Sequence, residues 1–357
     1  MTPVLPTLTA DATGTPSIAV VAVEFPPHRH SQDELTAALT DLAGIEIERF
    51  AANSGVGTRQ VALPLSRYGE LAGFTQANDA YLDIAVELGE RALRSALAKA
   101  QVSPLEVDIV FSTTVTGLAV PSLEARLATR LGLRPDVKRV PLFGLGCVAG
   151  AAGVARVYDY LRAYPDQVAA LLAVELCSLT VQRDDRSVPN LVASSLFGDG
   201  AAAVIATGAD WAPVGPQVLA TRSRTYPDTE DVLGWNIGSD GFRIVLSVEI
   251  ATLVEKYLGE DVRNFLADHG LTIEDISTWV LHAAGPKVID AVENALDLPA
   301  DALHRTRDSL RDNGNLSSVS VLDILEATMA DPPSPGSIGL MIAMGPGFSA
   351  ELVLLGW

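Results

Sequence analysis

The 357-residue sequence contains few cysteines, few histidines and no metal-binding motif. Its two cysteines, Cys147 and Cys177, cannot form the set of disulfides that stabilises small secreted proteins. We therefore expect a reducing, cytoplasmic location. The five histidines are scattered, and no Cys-x-x-Cys or His-Glu-x-x-His pattern occurs, so the sequence predicts no metal site.

Basic residues and long apolar stretches are also scarce. Lysine and arginine total 25 against 44 aspartates and glutamates, which gives a net charge of −19. Such acidity disfavours nucleic acid and anionic membrane surfaces as partners. No stretch has the uninterrupted apolar length of a membrane span. Residues 1–16 contain no basic-then-apolar signal and are predicted to form a flexible tail.

The sequence does contain a repeated alternation of apolar strands and amphipathic helices. Strands are predicted over residues 17–23, 107–113, 137–142, 168–175, 201–206, 279–282, 337–344 and 349–355. Helices are predicted over residues 31–42, 81–101, 122–131, 246–269, 286–296, 305–311 and 317–330. This alternation predicts a parallel sheet covered on both faces.

Two long segments break the alternation. Residues 53–75 are predicted to be irregular, and residues 208–241 are rich in turn formers. We interpret the second segment as a connector between two halves, residues 17–215 and 216–357. Because both halves alternate strands and helices, the pattern indicates an internally duplicated α/β fold.

The segment around Cys147 predicts a strand, a tight turn and a buried helix. Gly144 and Gly146 permit a sharp turn, and small residues at helical spacing follow the cysteine. A thiol at a helix N-terminus lies where unpaired N–H groups and the helix dipole favour an anion. The position predicts a thiolate nucleophile with a lowered pKa, the alternative being a buried structural cysteine.

Two further residues complete a combination suited to thioester chemistry. His282 ends a predicted strand, and the small residues that follow it leave space over the imidazole. Asn315 precedes the predicted helix 317–330 and could equally be its N-cap. A histidine beside the cysteine would stabilise the thiolate as an ion pair. The histidine and the asparagine could both donate to a thioester carbonyl as an enolate forms.

Six motifs occur in the order in which one known family has them. They are VPLFGLGCVAGAAGVARVYDYL, LAVELCSLT, SSLFGDGAAAV, WVLHAAGPKVIDAV, DNGNLSSVSVLDIL and MGPGFSAELVLL. Together they resemble the type III polyketide synthases of the chalcone synthase superfamily, and most of all the bacterial alkylpyrone synthases of mycobacterial type. The resemblance implies a duplicated thiolase-type α/β fold, which is a five-layered αβαβα sandwich, and a homodimer.

The resemblance also implies a role for each candidate residue. Cys147 would carry the acyl chain, and His282 and Asn315 would serve decarboxylation and oxyanion binding. Phe197 matches an aromatic residue between the coenzyme A tunnel and the cavity, and Val120 matches a residue that reaches into the partner's cavity. The other positions implied to line the cavity are Thr114, Thr116, Cys177, Thr180, Ile244 and Ser317. The implied coenzyme A contacts are Arg49, Arg59, Gly285 and Pro286, and the implied cyclisation loop is Gly345, Pro346 and Gly347.

These roles imply an acyltransferase without a permanently bound cofactor. Ile244, where an aromatic residue is usual, and the small Cys177 suggest room for a long aliphatic acyl-CoA starter. Malonyl-CoA or methylmalonyl-CoA units would decarboxylate and condense with it, and the chain would close to an alkyl α-pyrone. Three alternatives stay open: closure to a resorcinol or another phenolic ring, a single condensation of the ketoacyl-ACP synthase III kind, and a non-catalytic acyl-binding protein.

Overall fold

Thirteen strands and ten α-helices make up the part of the chain, residues 14–44 and 47–357, that the computed structural model describes. Most of the predicted tail, residues 1–16, lies outside the described residues. The strands are β1 Ser17–Glu24, β2 His28–Ser31, β3 Thr58–Val61, β4 Val107–Thr114, β5 Lys138–Phe143, β6 Val168–Leu176, β7 Asp199–Thr207, β8 Gln217–Thr225, β9 Leu233–Gly238, β10 Gly241–Leu246, β11 Ile276–Leu281, β12 Ile338–Gly345 and β13 Ser349–Gly356. The helices are α1 Gln32–Ala43, α2 Glu48–Ala51, α3 Phe74–Ala100, α4 Leu123–Leu131, α5 Ala149–Ala163, α6 Val188–Leu196, α7 Ile250–Ala267, α8 Pro286–Leu296, α9 His304–Asn313 and α10 Ser320–Ala330.

Local sequence sets several helix boundaries. Ser31 caps α1, because its hydroxyl accepts the N–H of Glu34 while the Glu34 carboxylate accepts the N–H of Ser31. Gly44 ends the same helix in the left-handed conformation, with φ of 60°. Pro286 begins α8, where its missing N–H leaves no hydrogen bond unmade. None of the described helices is long and apolar enough to cross a membrane.

One strand pattern occurs twice in the nine-stranded central sheet. The strand order is β11-β12-β13-β8-β1-β7-β6-β4-β5. The sets β4-β6-β7-β1 and β11-β12-β13-β8 each consist of a parallel pair followed by two antiparallel pairs. The two sets meet at one register position, where Ser17 of β1 faces Gln217 of β8. The repeated pattern is that of an internally duplicated fold.

Helices lie outside each half of the sheet and between the halves. In the first half, α3 packs on β1, β6 and β7. The central helix α5 contacts β4 and β6 on one side and β12 and β13 on the other, and α10 contacts β1 and β11. In the second half, α7 and α8 pack against each other. This succession is the five-layered αβαβα sandwich that the resemblance implied.

Small residues allow α5 to occupy the middle layer. A Cβ on Gly150 would collide with the backbone carbonyl of Ser318, and a Cβ on Gly153 would lie 2.6 Å from Leu171. The small-residue pattern after Cys147 therefore predicts a buried helix correctly, because larger side chains would separate the layers.

The prediction of a parallel sheet is wrong. Three of the eight pairs of neighbouring strands are parallel, and the other five are antiparallel. Strands that are buried on both faces show an apolar run in either direction, so the sequence pattern does not reveal strand direction. For example, β7 is buried along its whole length and pairs antiparallel with both β1 and β6.

Three segment predictions also need correction. The predicted connector, residues 208–241, contains β8, which lies in the middle of the central sheet, and also β9. The predicted helix 246–269 begins only at Ile250, because residues 241–246 form β10 and pair with β9. The segment 53–75, predicted to be irregular, contains β3 and the short 3-10 helix Leu65–Glu70. Glycines and prolines next to these short elements obscured the strand pattern.

Candidate active site

Cys147 lies in the tight turn between β5 and α5, as the sequence predicts. The turn is a 3-10 helix, Gly146–Val148, and Gly144 and Gly146 have positive φ values of 96° and 58°. A Cβ on Gly146 would lie 2.7 Å from Cδ of Pro346. The implied cyclisation loop, Gly345–Gly347, therefore packs directly against the turn that carries Cys147.

A buried carboxylate stands behind the cysteine. Sγ of Cys147 lies 3.6 Å from Oγ of Ser317, which lies 3.5 Å from Oε1 of Glu175. The other donors to this carboxylate are Ser318 Oγ at 2.6 Å, Thr116 Oγ1 at 3.0 Å and the Val115 N–H at 3.1 Å. Burial raises the pKa of Glu175 to about 7 despite these donors.

Sequence reasoning missed Glu175. The one signal for it is an acidic residue within the apolar run of β6, a strand that is buried along its whole length. A carboxylate in such a strand needs internal hydrogen-bond donors, and hydroxyls at Thr116 and Ser317 supply two of them. These two residues, which the resemblance implied to line the cavity, instead donate hydrogen bonds to the carboxylate.

A chain of hydrogen bonds links the segments that carry the three predicted catalytic residues. Oδ1 of Asn315 accepts the N–H of Ser317, the same serine whose hydroxyl contacts Cys147. Nδ2 of Asn315 donates to the carbonyl of Ala284 at 3.1 Å, and the N–H of Ala284 donates to the carbonyl of His282 at 2.9 Å. Both ring nitrogens of His282 are buried and have no hydrogen-bond partner among the described residues.

Burial keeps both the cysteine and the histidine neutral. It raises the pKa of Cys147 to about 12 and lowers the pKa of His282 to about 3, because each charged form would be removed from water. The predicted lowered pKa of Cys147 is therefore not found, since loss of solvation outweighs the helix terminus. A neutral imidazole with unbonded nitrogens has one N–H that can donate a hydrogen bond and one nitrogen that can accept one.

Next to this network lies a cavity of about 670 Å³. Its wall includes four residues that the resemblance implied there, namely Cys177, Thr180, Phe197 and Ile244. Phe197 also borders the hydrogen-bond network, because the backbone on either side of it pairs with Asn315. Thr114, Thr116 and Ser317 do not line this cavity. Thr114 instead accepts a hydrogen bond from the Tyr81 hydroxyl at 2.9 Å.

Two family models match consecutive parts of the chain. The N-terminal domain of chalcone and stilbene synthases matches residues 51–211, and the C-terminal domain matches residues 217–356. The chain belongs to the chalcone and stilbene synthase family. It is a type III polyketide synthase, an acyltransferase that condenses acyl-CoA with malonyl-CoA and needs no permanently bound cofactor. The family match decides for an enzyme over a non-catalytic acyl-binding protein.

Several named relatives of this synthase are bacterial. It is 52% identical over 352 residues to 1,3,6,8-tetrahydroxynaphthalene synthase of Streptomyces peucetius subsp. caesius, a match that covers 96% of this chain and 93% of the relative. It is 37% identical to a putative chalcone synthase of Bacillus subtilis, over 85% of this chain and 87% of the relative. The crystal structure of 1,3,6,8-tetrahydroxynaphthalene synthase from Streptomyces coelicolor has a TM-score of 0.91 at 28% identity, covering 96% and 99% of the two chains.

The coenzyme A contacts expected of the synthase divide into two groups. Arg49 is exposed on α2, and Gly285 and Pro286 form the start of α8. A Cβ on Gly55 would lie 3.1 Å from Pro286, so the segment that follows α2 packs against the start of α8.

Arg59 lies in the wall of the cavity. It is only 3% exposed, and its guanidinium donates to Gln32, Ser194 and Phe197. Its expected contact with coenzyme A stays a prediction. No group of three or more histidine, cysteine, aspartate or glutamate side chains in residues 14–44 and 47–357 could hold a metal ion.

Proposed function

We propose that the synthase builds a polyhydroxylated aromatic product of the naphthalene type from malonyl-CoA. The observation that carries this proposal is 52% identity, over 96% of the chain, with an enzyme named 1,3,6,8-tetrahydroxynaphthalene synthase. More distant relatives are named phloroglucinol synthase, at 29% identity, and 3,5-dihydroxyphenylacetyl-CoA synthase, at 32%. These names also describe phenolic rings.

In this proposal, the three residues of the network have separate roles. The thiol proton of Cys147 passes through the neutral imidazole of His282 to the departing sulfur as Sγ attacks the acyl thioester, and coenzyme A leaves as its thiol. When an extender malonyl unit loses CO₂, His282 and Asn315 donate to the enolate oxygen that forms. The enolate carbon then attacks the acyl group on Cys147 and displaces the sulfur. Asn315 uses one N–H for Ala284 and keeps the second for the substrate.

The shape of the cavity supports a compact product. Ile244 alone suggested extra room for an aliphatic chain. However, Trp235 lines the same cavity and is the direct cross-strand partner of Ile244 in the β9–β10 hairpin. The indole ring lies 5.8 Å from the ring of Phe242, centroid to centroid. Ile244 is smaller than the aromatic residue usual at its position, but the indole of Trp235 on the neighbouring strand supplies an aromatic ring to the same part of the wall.

A second candidate is the alkyl α-pyrone synthase that the resemblance suggested. Another part of the cavity wall favours it, because this part is made of leucines from α1 and from the segment before α3. These residues are Leu35, Leu39, Leu42, Leu65 and Leu71. An alkyl chain lying there would gain about 0.8 kcal/mol for each buried methylene group.

Product analysis by mass spectrometry distinguishes the two candidates. With malonyl-CoA alone, we expect a naphthalene-type product. With a panel of acyl-CoA starters from acetyl to palmitoyl, we expect Trp235→Ala to use long starters better than the wild type, because the cavity widens. Trp211→Phe is the matched control, since Trp211 does not line the cavity. Alkylpyrones from long starters, and no product from malonyl-CoA alone, would overturn the first candidate in favour of the second.

We also propose that the synthase is a cytoplasmic homodimer. Val120 is 97% exposed, and the side chain of Phe143 at the end of β5 is 48% exposed. Strand β5 pairs with β4 and stands at the edge of the central sheet, where a second copy would cover its free side. Both cysteines are unpaired, which supports a reducing compartment. Light scattering is expected to give twice the monomer mass for the wild type and a lower mass for Val120→Asp. A monomeric wild type would contradict the dimer.

A further inference from the structure

Every one of the last four carbonyl groups at the C-terminal end of α6 has a donor from another element. The pairs are Arg59 Nη1 with the Ser194 carbonyl at 2.9 Å and the Phe197 carbonyl at 2.7 Å, Gln32 Nε2 with the Ser195 carbonyl at 2.6 Å, and the Asn315 N–H with the Leu196 carbonyl at 2.9 Å. A helix end leaves these carbonyls without intrahelical partners. Two of the four depend on the single side chain of Arg59.

The same helix end holds the loop that carries Asn315. The N–H of Asn315 donates to Leu196, and its carbonyl accepts the N–H of Gly198 at 2.9 Å. Gly314, with φ of 73°, lies against the arginine, since a Cβ there would be 2.9 Å from Cγ and Cδ of Arg59. The stem of Arg59 therefore packs against the residue that precedes Asn315, while its guanidinium holds the turn with which Asn315 pairs.

Gly57 and Thr58, which precede Arg59, form hydrogen bonds with the chain just before the loop that carries Asn315. The N–H of Gly57 donates to the carbonyl of Arg311 at 2.7 Å, and the hydroxyl of Thr58 donates to the carbonyl of Asp312 at 2.6 Å. Residues 57–59 thus contact the end of α9, the Gly314 backbone and the end of α6. All three contacts converge on the position of Asn315.

The charge of Arg59 suits the end of a helix. The C-terminal end of a helix carries partial negative charge, which a cation stabilises. Arg59 forms no ion pair within the part of the chain that the structure describes. Its Nε and Nη1 donate to amide and carbonyl oxygens, and its buried Nη2 has no hydrogen-bond partner there. Nη1 donates to both carbonyls while Nε donates to Gln32, and the ammonium of lysine, a single point on a flexible stem, cannot reproduce this fork.

We propose that Arg59 is a positioning residue that orients Asn315 and Phe197 through the C-terminal end of α6. The proposal rests on the role proposed above for Asn315 in decarboxylation. A mutation far from the reacting atoms that misplaces a catalytic group by about 1 Å can cost roughly 100-fold in rate. The loss of Arg59 should therefore affect the step that uses Asn315. Acyl transfer to Cys147 does not depend on the Asn315 amide and should change little.

Arg59→Lys tests the proposal. We expect the kcat for CO₂ release from malonyl-CoA to fall about 10- to 100-fold, with the KM for malonyl-CoA changed less than about 2-fold. Loading of Cys147 by an acyl-CoA, measured by intact-protein mass spectrometry, should stay within about 2-fold of the wild type. Arg67→Lys is the matched control, because Arg67 is exposed and pairs with Glu70; it should behave as the wild type.

A double-mutant cycle with Asn315→Ala separates positioning from general damage. If Arg59 acts through Asn315, Arg59→Lys lowers decarboxylation in the wild type but adds no loss in the Asn315→Ala background. Additive losses, or wild-type decarboxylation in Arg59→Lys, would overturn the proposal for Arg59. Normal decarboxylation in Asn315→Ala would instead overturn the role proposed for Asn315.

A second variant keeps the test decisive if Arg59→Lys does not fold. Gln32→Ala removes the donor to the Ser195 carbonyl and the acceptor of Arg59 Nε, while Arg59 itself remains. We expect a smaller loss of about 3-fold in the same decarboxylation step, again absent in the Asn315→Ala background. A Gln32→Ala variant that folds, as shown by thermal unfolding, and decarboxylates at the wild-type rate would overturn the proposal.

Discussion

Replacing Cys147 with alanine is expected to abolish polyketide formation and to leave the decarboxylation of malonyl-CoA in place. Condensation needs a thioester on the enzyme, whereas loss of CO₂ needs only the donors that stabilise the enolate oxygen, which we proposed to be His282 and Asn315. Removing the nucleophile should lower product formation by at least about 10⁴-fold, since residues that act as a unit lose nearly all of their effect together. Product mass spectrometry and CO₂ release from the same sample measure both outcomes.

The second buried cysteine provides the control for this experiment. Cys177 lines the cavity, and burial raises its pKa well above the usual value. Cys177→Ser is expected still to form an acyl-enzyme, with at most a change in product distribution. If Cys147→Ala retained an acyl-enzyme that Cys177→Ser lost, the assignment of the nucleophile would be reversed.

The pH dependence of stability should change in Glu175→Gln. Burial raises the pKa of Glu175 to about 7 from an ordinary value of 4.5, so between these pH values the native state binds more protons than the unfolded state. The free energy of unfolding therefore falls as pH rises through this window, by about 1.4 kcal/mol per pH unit and on the order of 3 kcal/mol in total. Glutamine does not ionise, so the variant should lose this slope.

Other buried groups stay in the variant and must be allowed for, among them His282 and Asp199. Burial lowers the pKa of His282 to about 3 from 6.5, so the unfolded state binds more protons in this range and stability falls as pH drops from 6.5 towards 3. Burial raises the pKa of Asp199 to about 6 from 3.8, which acts in the same direction as Glu175. The difference between the wild type and Glu175→Gln isolates the carboxylate of Glu175.

Urea unfolding at pH 5 and pH 7.5 measures this difference. Glutamine can turn its carbonyl oxygen towards the Val115 N–H and its amide group towards the serine hydroxyls, which also accept hydrogen bonds. Glu175→Leu is the contrasting variant, because it leaves buried donors without acceptors and should cost about 1–3 kcal/mol for each, at both pH values. Equal pH slopes in the wild type and Glu175→Gln would contradict the raised pKa.

Features that depend on a short stretch of sequence could be predicted. The glycines around Cys147 indicated its turn, the apolar run before His282 indicated a strand end, and the polar stretch around Asn315 indicated a loop before a helix. The resemblance then placed these three segments in one site. The structure links them through Ser317 and Ala284.

Features that depend on contacts between distant segments could not be predicted. Arg59 is an arginine near other polar residues in the sequence, and only the fold places it under the end of α6. Trp235 lies in a segment that resembles a connector, so its position opposite Ile244 was not evident. The raised pKa of Cys147 has the same origin, because the local pattern predicts the helix terminus but not the depth of burial.

The two central helices begin in the same way. A 3-10 turn, Gly146–Val148, precedes α5, and another, Ser317–Val319, precedes α10. The turns contact each other, and the hydrogen bond from Cys147 to Ser317 joins them. The matching strand patterns relate the two halves by a pseudo-twofold axis, and elements near such an axis meet their own counterparts. The same local structure, a 3-10 turn before a central helix, thus occurs twice and brings the thiol of Cys147 next to the hydroxyl of Ser317. After duplication, the side chain at each of the two turns was free to change independently of the other.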